Sequence, residues 1–158
     1  MNQLNPDFRD MLTALLDADA EFLLVGAYAL SAHDQDRMTG DIDLWVRPTA
    51  ENAARVWRAL EAFRAPRRDL TVEDLATPDV IYQIGVAPQR IDILTSIDGV
   101  EFEEAWESRV PKVLAGLAIN VLPPHLLVRN KLKSGRHKDL IDADWLQRKI
   151  DLGELPGG

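Results

Sequence analysis

Asp41 and Asp43 stand two residues apart in the stretch DIDLWV, whose other members are apolar, β-branched or aromatic. Alternate residues of a β-strand share a face, so these carboxylates point the same way with Cα atoms about 7 Å apart, while Ile42 and Leu44 point toward a core. Like charges so placed repel. A hard divalent cation such as magnesium, which takes carboxylate oxygens readily, is the simplest compensation. RIDIL repeats the pattern with Asp92 between Ile91 and Ile93. Three strand carboxylates can hold two metal ions about 4 Å apart, the arrangement that activates an attacking oxygen and steadies a leaving one in phosphoryl transfer. The plain alternative for Asp92 is a hairpin residue facing solvent.

Asp-x-Asp by itself is not specific. It occurs at Asp17/Asp19, Asp34/Asp36, Asp41/Asp43 and Asp142/Asp144, and only the third pair has an apolar strand frame; the others read as solvated helix faces or loops. A second feature accompanies that pair. Gly26 closes the apolar run FLLV and opens AYALSAH, where a glycine lets the backbone approach a ligand and the free amides of a helix start attract anions. A third is basic: Lys131, Lys133, Arg136 and Lys138 put +4 into eight residues, so the rest of a chain of net charge −8 carries −12. That segment suits a local polyphosphate site, Arg offering a planar fork and Lys a point charge. It also suits a solvated helix end, where cations favour the C-terminal dipole before Gly135.

The elements needed to position these residues alternate along the chain. Asn5 and Pro6 start a helix that carries Phe8, Met11, Leu12, Leu15 and Leu16 on one face and ends near Ala20. FLLV (22–25) is a short buried strand, AYALSAH a short helix, and DIDLWV a strand stopped by Pro48. Thr49 caps a helix to about Phe63, and Thr71 with Asp74 forms a small capping box. VIYQI and RIDIL, separated by GVAPQ, read as a hairpin. A short helix spans about Phe102 to Trp106, LAINVL is the last strand before Pro123, and two helices follow, HLLVRNKLKS and Lys138 to about Lys149. Residues 1–150 form one domain, and 151–158 read as a frayed tail.

At 158 residues and 46% hydrophobic content the chain can bury a core of its own. Without cysteine it has neither a disulfide framework nor a thiolate zinc site, in keeping with a reducing compartment. MNQLNPDFRD lacks the pattern of a signal peptide, and no apolar run approaches the roughly 18 residues that span a bilayer, so a cytoplasmic protein without membrane association is expected. The acidic balance argues against gripping nucleic acid by overall field. His33, His125 and His137 lack ligand spacing, and Trp45, Trp57, Trp106 and Trp145 read as packing residues.

An apolar residue, Gly26, a small residue, thirteen residues and then DIDL together resemble the signature of the nucleotidyltransferase superfamily that shares the DNA polymerase β palm, with RIDIL supplying the third acid. More narrowly, VGAYALSAH, RMTGDIDLWV and NKLKSGRHKDLID resemble minimal bacterial nucleotidyltransferases related to AbiEii-type toxin proteins. The resemblance covers about Phe22 to Leu146. It implies an α+β fold with a small mixed sheet flanked by helices. It also implies two magnesium ions on Asp41, Asp43 and Asp92, with Asp92 helping to deprotonate an acceptor hydroxyl. Gly26, Ala27, Ser31, Arg37, Lys131, Arg136 and Lys138 would bind the nucleotide, Lys138 and Asp139 closing the site by ion pairing. Arg37 and Thr39 would orient the aspartates or serve the turn. Ala27 stands where the signature has Gly or Ser, so a hydroxyl contact to phosphate is missing there; Ser31 one turn on is either its substitute or, as the plainer reading, an ordinary helix serine. The activity implied is transfer of a nucleoside monophosphate from an NTP such as ATP to a hydroxyl on RNA, protein or a small molecule, in a toxin-like component with an antitoxin partner. A nucleotide-binding or partner-binding module without efficient turnover is the other reading.

Overall fold

A computed structural model describes residues 4–34, 40–86 and 89–158. Six strands form one mixed sheet in the order β3-β4-β2-β1-β6-β5. The strands are β1 (Phe22–Val25), β2 (Ile42–Val46), β3 (Ile81–Ile84), β4 (Ile91–Leu94), β5 (Val110–Leu114) and β6 (Leu117–Val121). β2 runs antiparallel to β1 and parallel to β4; β6 runs parallel to β1, and the outer pairs β3/β4 and β5/β6 are antiparallel.

One face of the central strands is wholly apolar. Ile42, Leu44, Val46, Ile91 and Ile93 are buried there, as their alternation requires. Helices α1 (Pro6–Asp17) and α3 (Ala50–Phe63) pack against each other, burying Phe8, Met11, Leu12 and Leu15 from one and Ala53, Val56, Ala59 and Leu60 from the other. Both start as their sequences require. Asn5 accepts from the Asp7 amide at 2.8 Å ahead of Pro6, and Thr49 accepts from the Asn52 amide at 3.2 Å. The Thr71 and Asp74 side chains bond each other's amides reciprocally before a single 3-10 turn, Asp74–Ala76.

The other face carries α2 (Gly26–Asp34), α4 (Phe102–Glu107), α5 (Pro124–Ser134) and α6 (His137–Asp151). Trp45, which shares this face with Asp43, meets the Phe102 ring edge-on at 5.0 Å, and Arg47 lies 4.7 Å over Phe102 while pairing with Glu21 at 2.8 Å and with Glu103. Trp106 stacks on Phe102, and Trp57 and Trp145 lie under Arg67 and Lys149, so all four tryptophans serve packing. Gly135, at φ 71, ends α5 and turns the chain into α6. The turn after α6 folds back: the Glu154 amide donates to Lys149 O at 2.9 Å, and Leu155 packs on the core.

Sequence reasoning misses one strand. β5 contains Pro111, which argues against a ladder position, but β5 is outermost, where a missing N–H is tolerated. It joins β6 through a two-residue turn, Ala115 (φ 50) and Gly116 (φ 82), the left-handed geometry that matches strand twist. Element ends also shift: α1 stops at Asp17, α2 begins on Gly26 itself, and α6 runs from His137 to Asp151. Among the described residues, no helix is long and apolar enough to cross a membrane.

Buried Asn52 staples the chain entering β1 to the chain leaving β2. Its Nδ2 donates to Glu21 O at 2.9 Å and Arg47 O at 3.0 Å, and its Oδ1 accepts from the Glu21 amide at 2.7 Å. Asn52→Ala leaves these backbone groups unsatisfied and should lower stability by about 2 kcal/mol. A lower urea midpoint at unchanged m-value is the expected reading.

Candidate active site: three strand carboxylates at the end of a cleft

Asp43, Asp92, Val25 and Gln83 form a single row across four strands. Asp43 is paired in register with Val25 on β1 and with Asp92 on β4, and Asp92 is paired with Gln83 on β3. Asp41 stands just before β2, where its Oδ1 accepts from the Arg90 backbone amide at 2.9 Å. The three acids expected to act together therefore share one place, at one end of a cleft of about 870 Å³.

Gly26 is required by this row. It has φ +68, and a β-carbon there would collide with Asp43 Oδ2 and lie 3.1 Å from its Cγ. The turn from β1 into α2 thus passes directly over the Asp43 carboxylate, and only a residue without a side chain permits both the conformation and the approach.

The electrostatics are uneven. Arg90 grips two of the acids: its Nε lies 2.7 Å from Asp92 Oδ1, and its Nη2 3.1 Å from Asp92 Oδ2 and 3.2 Å from Asp41 Oδ2. Asp43 makes no ion pair among the described residues. Burial, followed by the charge of Asp92, a hydrogen bond to its carboxylate and the charge of Asp41, pushes the Asp43 carboxyl up to about 7, with Arg90 opposing the rise. Asp43 therefore holds a proton to higher pH than a free carboxyl does. Sequence reasoning missed Arg90 although the signal was present, since a residue two before Asp92 on a strand lies on its face.

Among the described residues, no three His, Cys, Asp or Glu side chains are already gathered as a metal cage. The donor set nevertheless fits a hard cation in kind. It is all carboxylate oxygen, and a cation beside Asp43 and Asp92 would relieve the repulsion that helps raise the Asp43 pKa.

The basic segment forms another wall of the cleft, through Lys131, Ser134, Arg136 and Lys138. Lys131 is buried and engaged, with Nζ 3.2 Å from Asp142 Oδ2 and 3.6 Å from Asp139 Oδ1, so it ties α5 to α6. Arg136 donates from Nε to Asp139 Oδ2 at 2.8 Å while its side chain is 81% exposed. Asp139 also accepts from Ser134 at 2.6 Å, and although burial opposes it, these bonds and the neighbouring cations hold its carboxyl below the usual range. Asp139 thus pairs with Arg136 and Lys131, and Lys138 has no ion pair among the described residues. Ala27 lines the cleft, but Ser31 is buried and donates to Ala27 O at 3.0 Å, turned into its own helix. His33 is a core residue with Nε2 2.8 Å from Leu122 O, and burial lowers its pKa. Arg37 and Thr39 lie outside the described residues. Gln83, Ser96 and Asn130, which sequence reasoning did not single out, add neutral polar groups to the cleft.

Because folding raises the Asp43 pKa from about 3.8 to about 7, the folded chain binds more protons than the unfolded one between those values. Stability from this group is present below about pH 4 and is lost as pH rises through 7. In chelator, the unfolding temperature should fall by several degrees from pH 5 to pH 8, and Asp43→Asn should flatten that dependence and raise the value at pH 8. A steeper fall in the variant would show that Asp43 does not carry the proton.

No family model matches the chain, and no curated protein matches its sequence. Among solved structures, a crystal structure of a "putative nucleotidyltransferase" from Thermotoga maritima is similar, with a TM-score of 0.62 at 13% identity over 95% of this chain and 96% of that one. The mixed six-stranded sheet, with its flanking helices, is therefore a nucleotidyltransferase-type fold.

Proposed function

We propose that the protein is a magnesium-dependent nucleotidyltransferase that moves a nucleoside monophosphate from an NTP to an acceptor hydroxyl. The observation that carries this reading is the row in which Asp43 and Asp92 stand in register beneath Gly26, with Asp41 joined to it through Arg90. In the transfer, the acceptor oxygen forms a bond to the α-phosphorus, the bond from that phosphorus to the bridging oxygen breaks, and pyrophosphate leaves. Magnesium ions held by Asp41, Asp43 and Asp92 would neutralise phosphate charge and polarise the attacking oxygen.

The chain's own residues divide the remaining work. Asp92, near the start of β4, would take the acceptor proton. Gly26 and the first amides of α2 offer donors to phosphate oxygens without a side chain in the way. Lys138 and the exposed Arg136 supply positive charge on the cleft wall. Lys131 acts there by fixing α5 to α6. The narrower likeness to AbiEii-type proteins makes RNA or protein the acceptor classes to test first, and an antitoxin the partner class.

A binding module without efficient turnover is the second reading. Ala27 in place of a hydroxyl or glycine, and the hold of Arg90 on two of the three acids, favour it.

Labelled NTPs with magnesium and candidate RNA or protein acceptors separate the two, with pyrophosphate release as the common readout. Wild type should transfer label. Asp43→Asn should abolish transfer, and Asp92→Asn should slow it on the order of 10²–10⁴-fold. NTP binding by calorimetry without any product would favour the module, and absence of both would remove the proposal.

In the same assay, Lys138→Ala should weaken NTP binding while leaving the unfolding temperature within a degree or so, because its side chain has no ion pair among the described residues. Lys131→Ala should instead lower stability by roughly 3 kcal/mol, because it leaves Asp142 without its cation and takes from Asp139 one of its two. Equal thermal stability of the two variants would refute this division of roles.

A further inference from the structure

Arg90 occupies the place where charge compensation of the acids is needed. Both oxygens of Asp92 are taken by its guanidinium, Nε at 2.7 Å and Nη2 at 3.1 Å, and Nη2 also reaches Asp41 Oδ2 at 3.2 Å. The backbone of Arg90 is fixed separately, its amide on Asp41 Oδ1 at 2.9 Å and its carbonyl accepting from the Ile42 amide at 3.0 Å. Its side chain remains 28% exposed and lines the cleft. The strand therefore anchors the residue while the guanidinium can leave without disturbing a ladder bond.

A divalent cation would take oxygens of the same carboxylates. A dication and a guanidinium at one carboxylate repel each other, so the two compete for Asp92. Resting on the nucleotidyltransferase reading, we propose that Arg90 is a resident counter-ion for Asp41 and Asp92, which a divalent metal ion must displace to enter the site. In the ion-free protein it holds the two acids together in the geometry of the folded sheet. On metal uptake its guanidinium swings toward the cleft opening. Arg90 is thus a positioning residue that sets metal affinity, and metal binding is linked to the loss of its two ion pairs.

Calorimetric titration of Mn²⁺ into metal-stripped wild type, Arg90→Gln and Arg90→Lys tests this, with thermal unfolding of each in chelator. Arg90→Gln should bind Mn²⁺ roughly tenfold tighter than wild type or more, because the competing cation is gone. It should unfold at a lower temperature in chelator, with Mn²⁺ closing the gap. Arg90→Lys, a point charge without the bidentate fork, should fall between the two and serves if the glutamine variant does not fold without metal. Wild-type or weaker Mn²⁺ affinity in the variants overturns the exchange and leaves the proposed activity standing. Absence of Mn²⁺ binding in all three proteins overturns both the exchange and the metal-dependent reading.

Discussion

Three carboxylates gathered at one end of a sheet, Asp43 and Asp92 in one row and Asp41 just before it, repel one another. A guanidinium shared by Asp41 and Asp92 offsets part of that repulsion, while burial and its neighbours push the Asp43 carboxyl up to about 7. Everything around the row serves to keep the acids close despite the repulsion, and the sheet is the rigid part that does so. Buried isoleucines and leucines on the reverse of β2 and β4 hold the strands against α3. An acid pair of this kind would relax apart on a loop; opposite each other in a ladder, Asp43 and Asp92 have nowhere to go.

The cleft is lined both by the three acids of the sheet and by the cations Lys131, Arg136 and Lys138 of α5, α6 and the turn between them. In a chain of net charge −8, that segment concentrates positive charge locally without the whole surface being basic. Within the basic wall the roles differ by burial. Lys131 is spent on Asp139 and Asp142, whereas Arg136 and Lys138 keep charge at the cleft. A cluster that looks uniform in sequence is part buried tie between helices and part cleft lining.

Much of this could be seen in the residues alone. The strand frame around Asp41 and Asp43, the matching frame of Asp92 and the glycine closing FLLV follow from period-two patterning, and all three acids meet. The caps at Asn5, Thr49 and Thr71 are local chemistry, legible because their partners lie within three residues. What escaped is of two kinds. β5 was hidden by Pro111, since edge position is a property of the whole sheet and not of the segment. The pairing of Lys131 with Asp142 and the turn of Ser31 toward Ala27 depend on how helices are rotated, which a charge count does not contain. Arg90 belongs between these kinds: its face was predictable, but its grip on Asp41 needed the β2/β4 register.

That register has a consequence for how the chain reaches its fold. β2 and β4 are parallel, so no tight turn sets their alignment, and α3, the 3-10 turn and β3 all intervene. A slip of β4 by one residue would turn Asp92 into the apolar layer beside α3 and bring Ile91 or Ile93 to the cleft. Burying that carboxylate without a partner costs several kcal/mol. The carboxylate row therefore also acts as an alignment key during assembly. A chain that pairs these strands wrongly is rejected by the charge it would have to bury.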